Sequence, residues 1–267
     1  MRIAMIQMAV TTDKGENLRR AREKILALKD ERIDLAVLPE MFSCPYSNDC
    51  FRAYGEPAGG ETWQMLRDTA RELGIWLVGG SMPELEEDKV YNTSFVFDRS
   101  GRQAARHRKA HLFDIQVEGG QHFRESETLT AGNEVTVFDT EFGTIGVCIC
   151  FDFRFQELAK AMGDRGAKLI VVPAAFNMTT GPAHWELMFR QRAVDNQLFT
   201  LGVAPARDET AGYVSYANSI LVDPWGTVLA RAGEREETLI AEIDLARCES
   251  IRNQLPIRSA RREELYR

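Results

Sequence analysis

Residues 143–157 change periodicity midway, and no other stretch constrains the chain as much. From Gly143 to Ile149 the run is short and apolar, as a buried strand requires. Beyond it Phe155, Leu158, Ala159 and Met162 recur at helical spacing with polar residues between them. Cys150 therefore falls where a strand ends and the chain turns toward a helix. A nucleophile gains two things there: its sulfur projects past the sheet edge, and free N–H groups of the turn can face an oxyanion. The positive end of a helix also favours the reactive thiolate. The same pattern suits a buried core cysteine, the usual fate of a lone one. This stretch leaves both readings open.

The rest of the chain supplies further strand ends. Residues 2–10 are strand-like, and residues 17–28 put Leu18, Ala21, Ile25 and Leu28 on one helical face. The short strand 35–38 is closed by Pro39, so Glu40 lies at its carboxyl end, where ligands gather in open α/β sheets. A carboxylate there serves chemistry, caps a helix or lies on the surface. Residues 41–57 read as irregular, with a turn at Pro45 to Asn48. A helix is predicted over 62–73 and a strand over 75–79. Two strands, 90–98 and 103–108, form a hairpin around Arg99-Ser100-Gly101 and lead to Lys109. Residues 115–132 read as one long loop holding Glu125, and loops of that length are usually functional or disordered. Strands at 135–139 and 144–149 precede Cys150. A helix to Arg165, a strand at 169–173, a helix at 183–196 and strands at 199–204, 219–222, 227–230 and 238–243 complete the pattern.

At 267 residues the chain suffices for one large α/β domain, and neither repeats nor linkers divide it, so residues 1–267 are taken as one domain. A net charge of −7 argues against a nucleic-acid partner. No apolar run approaches the ~20 residues of a membrane span, and Met1 to Ile6 lack signal-peptide architecture. Five cysteines, an odd number, fit a reducing cytoplasm. Cys44 and Cys50 complete no zinc site, so no metal is expected. The basic tail, residues 255–267 with Arg258, Arg261, Arg262 and Arg267, either runs along a partner subunit or frays.

Glu40, Lys109 and Cys150 thus occupy the carboxyl ends of three separate strands. A cysteine hydrolase normally uses histidine as its base. None of the four histidines has a comparable position, which leaves Glu as base and Lys as cation. In isolation Lys109 reads first as a solvated strand-end lysine. The combination resembles the nitrilase-like carbon–nitrogen hydrolases. The resemblance rests on Leu38-Pro39-Glu40-Met41-Phe42, on Arg108-Lys109-Ala110-His111-Leu112-Phe113 and on Ile149-Cys150-Phe151-Asp152-Phe153-Arg154-Phe155, in that order. It is nearest to the omega-amidase branch, through Phe176 to Leu187, Arg192 to Gln197 and Asn253 to Pro256.

The resemblance implies a four-layer αββα sandwich of two mainly antiparallel sheets with helices outside. It implies Cys150 as nucleophile, Glu40 as general base, Lys109 as oxyanion stabiliser and Glu125 as the carboxylate that positions Lys109. The Phe151 N–H would be the second oxyanion donor; Phe replaces a common Tyr there, which excludes a hydroxyl role. It further implies a homodimer or higher homo-oligomer, paired through helices and the tail, and no cofactor. The activity implied is hydrolysis of the terminal amide of 2-oxo dicarboxylic acid monoamides through a cysteine thioester. The alternatives are another amidase of the superfamily, acting on N-carbamoyl amino acids, aliphatic amides or deaminated glutathione, or a non-catalytic binding protein on the same fold. For the substrate's far end, Arg154 is either a carboxylate anchor or half of a structural ion pair. Thr180 is either part of an anion-binding helix start or a plain N-cap. Tyr46 and Phe176 either wall the pocket or simply pack.

Overall fold

The computed structural model describes residues 1–265; Arg267 of the basic tail lies outside the described residues. The first half runs β1 (Arg2–Gln7), α1 (Lys14–Leu26), β2 (Leu35–Val37), α2 (Asn48–Tyr54), α3 (Glu61–Leu73), β3 (Trp76–Val78), β4 (Met82–Glu86), β5 (Lys89–Phe97) and β6 (Gln103–Arg108). A small hairpin follows, β7 (Asp114–Gln116) and β8 (His122–Arg124). The second half comprises β9 (Thr136–Thr140), β10 (Gly143–Val147), α4 (Gln156–Asp164), β11 (Leu169–Pro173) and α5 (Gly181–Asn196). It ends with β12 (Phe199–Val203), β13 (Ile220–Val222), β14 (Val228–Arg231), β15 (Glu237–Glu242) and α6 (Arg247–Gln254).

One sheet has the order β15-β1-β2-β3-β5-β4, with β6 on the other edge of β5. The second has the order β14-β13-β12-β11-β10-β9. Both are parallel at the centre, β1-β2-β3 and β10-β11-β12, and antiparallel toward the edges. The parallel centres account for the uninterrupted apolar runs at 35–38 and 169–173, since such strands are buried on both faces.

Successive side chains of a strand point to opposite faces, and this divides the core. Ile3 and Met5 of β1 join Ile145 and Val147 of the second sheet, whereas Ala4 and Ile6 join Leu18, Ala21 and Ile25 of α1 and Leu66 and Ala70 of α3. On the far side, α4 and α5 come close to two glycines. A Cβ on Gly146 would lie 2.7 Å from Met162 Sδ, and one on Gly202 would lie 2.3 Å from the Phe189 ring. The layers are therefore α1/α3, sheet, sheet, α4/α5: the αββα sandwich.

Four stretches differ from the sequence expectation. Residues 48–54, read as irregular, form α2 around the buried Phe51; two turns are too short to show a period. β4 was masked by Pro83, which an edge strand tolerates. The long loop 115–132 contains the β7–β8 hairpin and a 3₁₀ turn at Glu125–Glu127. Among the described residues the tail packs against its own chain instead of fraying. Arg258 donates to Gly163 O (2.9 Å) and Asp164 Oδ1 (3.0 Å) at the end of α4, and Gln197 Nε2 donates to Leu255 O.

Candidate active site

Each reactive side chain sits just past a strand end. Glu40 follows β2, and the next residue, Met41, has φ +51° with its N–H held by Ser81 Oγ at 3.0 Å. Cys150 opens a 3₁₀ turn, Cys150–Arg154, between β10 and α4, with φ +45°. Non-glycine residues in this left-handed region are strained and cluster at functional sites. Lys109 leaves β6 with its N–H bonded to Asn92 O at 2.8 Å. Glu125 heads the 3₁₀ turn inside the supposed loop.

These residues converge in one buried cluster. Lys109 Nζ donates to Glu40 Oε1 (3.0 Å) and to Glu125 Oε1 (2.9 Å), and all three side chains are inaccessible to solvent. The remaining lone pairs are also used. Glu40 Oε1 accepts from Asn92 Nδ2 (2.8 Å) and Glu40 Oε2 from the Ala175 N–H (2.7 Å). Glu125 Oε2 accepts from the Phe113 N–H (2.6 Å). The solvated-lysine reading of Lys109 is thereby excluded.

Two carboxylates share one ammonium, and their ionisation follows. Burial pushes Glu40 above the ordinary carboxylate range, Lys109 pulls it back, and Glu125 adds to the rise. Burial alone would lower Lys109, but the Glu125 and Glu40 carboxylates outweigh it and hold the amine protonated. Burial and then Glu40 drive Cys150 well above the usual thiol value, against Lys109. Both shifts favour a protonated sulfur beside a basic carboxylate.

Tyr46 belongs to this cluster and also walls the cavity beside it. Its hydroxyl donates to Glu125 Oε1, lies 3.3 Å from Glu40 Oε1 and accepts from Lys109 Nζ (3.2 Å). Its ring stacks on Tyr213, with centroids 4.4 Å apart, and packs against Phe123. A cavity of about 380 Å³, lined by Met41, Tyr46, Phe123, Ala175 and Tyr213, opens onto Glu40.

Arg154 has no carboxylate within salt-bridge distance among the described residues, so the structural ion-pair reading falls. Its guanidinium lies 4.7 Å from the Phe176 ring centroid and 5.7 Å from that of Phe151, with Nη1 3.0 Å from His184 Nδ1. Burial lowers its pKa, and the negative charge of a Cys150 thiolate would raise it. Phe176 is buried edge-on against Trp185 and serves as the platform for that guanidinium. Thr180 departs from expectation. Its N–H and hydroxyl both go to Asn177 Oδ1 (2.9 and 3.0 Å), and the Gly181 N–H goes to Asn177 O (2.7 Å). With Pro182 lacking an N–H, the donors the anion-site reading required are already used, and Thr180 makes no side-chain cap either.

Three contributors escaped the sequence reading. Asn92 is a buried polar residue in an apolar strand, which is a usable signal. Tyr213 comes from a loop with no local signature. Asp152, two residues past Cys150, is a fully buried carboxylate holding five donors. Burial would raise its pKa, yet the bonds from His107 and His111 hold it well below the ordinary carboxylate range.

Residues 2–253 match the carbon-nitrogen hydrolase family. The chain is 46% identical to the omega-amidase NIT2 of Danio rerio, over 99% of this chain and 96% of that protein. It is 44% identical to the omega-amidase NIT2 of Homo sapiens at the same coverage. The crystal structure of Saccharomyces cerevisiae Nit3, a member of branch 10 of the nitrilase superfamily, superposes with a TM-score of 0.90 at 42% identity, covering 98% of this chain and 96% of that one. With a buried Glu40–Lys109–Glu125 cluster beside Cys150 on an αββα sandwich, the chain belongs to the carbon-nitrogen hydrolase family.

Proposed function

We propose that the protein is a thiol amidohydrolase of omega-amidase type. It releases ammonia from the terminal amide of 2-oxo dicarboxylic acid monoamides such as 2-oxoglutaramate and 2-oxosuccinamate. The observation that carries this reading is the presence of Cys150 and the Glu40–Lys109–Glu125 cluster together with the Arg154 guanidinium, which has no carboxylate partner among the described residues. The likeness to omega-amidases along the whole chain supports it.

In the first half-reaction Glu40 takes the Cys150 proton as the sulfur bonds to the amide carbon. The carbonyl oxygen becomes an oxyanion, received by the Lys109 ammonium and the Phe151 N–H. Glu40 then gives the proton to the departing nitrogen, the C–N bond breaks, ammonia leaves and a thioester remains. In the second half-reaction Glu40 takes a proton from water, the hydroxyl adds to the thioester carbon, and the C–S bond breaks. The proton returns to sulfur and the 2-oxo acid departs. Glu125 and Tyr46 keep Lys109 aimed throughout. No metal or organic cofactor enters any step.

Arg154 selects the substrate by its carboxylate. A guanidinium fork on a carboxylate makes charge-assisted bonds worth roughly 1.5–3 kcal/mol. Arg154→Lys, without the planar fork, and Arg154→Ala should each lower kcat/KM for 2-oxoglutaramate tenfold or more. Uncharged amides of the same length should be poor substrates of the wild type and lose much less in the variants. Equal losses on charged and neutral amides would assign Arg154 to shaping the nucleophile turn instead.

One domain spanning residues 1–267 and a cytoplasmic setting complete the proposal; all five cysteines are free. We also propose a homodimer. Leu187 on α5 and Trp225 beside it are 61% and 57% exposed, and the tail from Leu255 lies against the C-terminal end of α5 through Gln197. Sedimentation of the full chain should give twice the 30.2 kDa monomer mass; a monomer at micromolar concentration would refute pairing.

A further inference from the structure

Lys109 and Cys150 stand on different sheets. Lys109 follows β6 of the first, Cys150 follows β10 of the second, and the contact between those sheets is largely apolar. Apolar packing is non-directional. It sets the distance between layers but does little to set where an ammonium stands relative to a sulfur. Misplacing a reacting group by about 1 Å can cost ~10²-fold in rate. A directional link between the two strand ends is therefore valuable, and Asp152 supplies one.

Its Oδ1 accepts from the Ala110 N–H (3.0 Å), the His111 N–H (2.8 Å) and His111 Nδ1 (2.8 Å). Its Oδ2 accepts from the Ile149 N–H (3.1 Å) and His107 Nε2 (2.9 Å). Ala110 and His111 directly follow Lys109, and Ile149 directly precedes Cys150. We infer that Asp152 is a positioning residue that sets the separation between the Lys109 ammonium and the Cys150 sulfur, by clamping the amides after Lys109 and the amide before Cys150 to one carboxylate.

The chemistry explains why the position needs an acceptor-only side chain. All five groups are donors, and an ionised carboxylate offers about four lone-pair sites and no hydrogen. Asparagine would turn an NH₂ toward donors on one side. With that NH₂ in place of Oδ2, His107 can adapt by changing tautomer, because its Nδ1 meets the Thr136 hydroxyl (2.9 Å), which donates or accepts. The Ile149 N–H has no such freedom, so the link to Cys150 is the one that breaks. His111 adds a second check. Its ring stacks on Phe155 with centroids 3.8 Å apart. Phenylalanine in its place keeps the stack and loses only the Nδ1–H bond.

This inference rests on the amidase reading, so wild-type turnover of 2-oxoglutaramate is measured beside that of Asp152→Asn and His111→Phe. Thermal melts are recorded for each, and Cys150 is titrated with methyl methanethiosulfonate, followed by peptide mass. That reagent takes the thiolate at sulfur and builds no oxyanion, so it reports the nucleophile without Lys109's part in receiving the oxyanion. Asp152→Asn should lower kcat at least 30-fold, with KM and the Cys150 labelling rate within threefold of wild type. His111→Phe should lower kcat three- to tenfold with labelling unchanged, and it decides the matter if Asp152→Asn does not fold. Wild-type kcat in His111→Phe, or in a folded Asp152→Asn, overturns the coupling. So does a labelling rate that falls in step with kcat, since Asp152 would then merely hold the cysteine turn. An inert wild type would instead overturn the activity reading.

Discussion

Cys150→Ala yields a folded protein that releases no ammonia from 2-oxoglutaramate, a loss of ~10³-fold or more. The substitution removes the attacking atom and little volume. At 4% exposure the vacated space is small, and the cost in stability is about 1 kcal/mol. Cys50→Ala, at a half-buried thiol in α2 outside the charge cluster, retains most of the rate. An ammonia assay and a thermal melt on both variants check this. Near-normal turnover in Cys150→Ala, or its loss in a folded Cys50→Ala, would remove Cys150 from the mechanism.

The two charges beside the sulfur give the second large effect, and the variants fail in different ways. Glu40→Gln keeps the shape and removes the base from both half-reactions. General-base catalysis is typically worth 10²–10⁴-fold, and kcat should fall by about that much. Lys109→Met should cost about 10²–10³-fold through the lost oxyanion donor. It also leaves Glu40 and Glu125 buried without a cation. Stripping one partner from a buried ion pair typically costs about 3–5 kcal/mol, so this variant alone should show a clearly lowered melting temperature. The pH profile carries the same logic. Glu40 is a base only as a carboxylate, and burial raises its pKa. As pH falls, wild-type kcat/KM should begin to drop above the ordinary glutamate range. An acid limb at or below that range, or wild-type turnover in either variant, would assign the base elsewhere.

The features legible in the sequence were local ones. Apolar runs at 35–38, 144–149 and 169–173 mark strands because a strand buried on both faces needs only a few consecutive apolar residues. Glu40, Lys109 and Cys150 could be placed at strand ends because an end is defined by its immediate neighbours. The short elements escaped for the converse reason. β4 carries Pro83, and β7 and β8 have three residues each, too few to display a period.

By itself the sequence determined the layered α/β class, the strand-to-helix turn at Cys150 and the placing of Glu40, Lys109 and Cys150 at strand ends. Only the tertiary structure decided which charges meet. Lys109 and Glu40 are 69 residues apart and Ala175 and Glu40 are 135 apart, and nothing local specifies such pairs. It decided that Thr180's donors are spent on Asn177, whereas the Arg154 guanidinium meets His184 and no carboxylate among the described residues. It also made Asp152 the link between two sheets. The physical reason is common to all three. Periodicity reports which face of an element is apolar. A hydrogen bond depends on distance and angle between groups that only packing brings together.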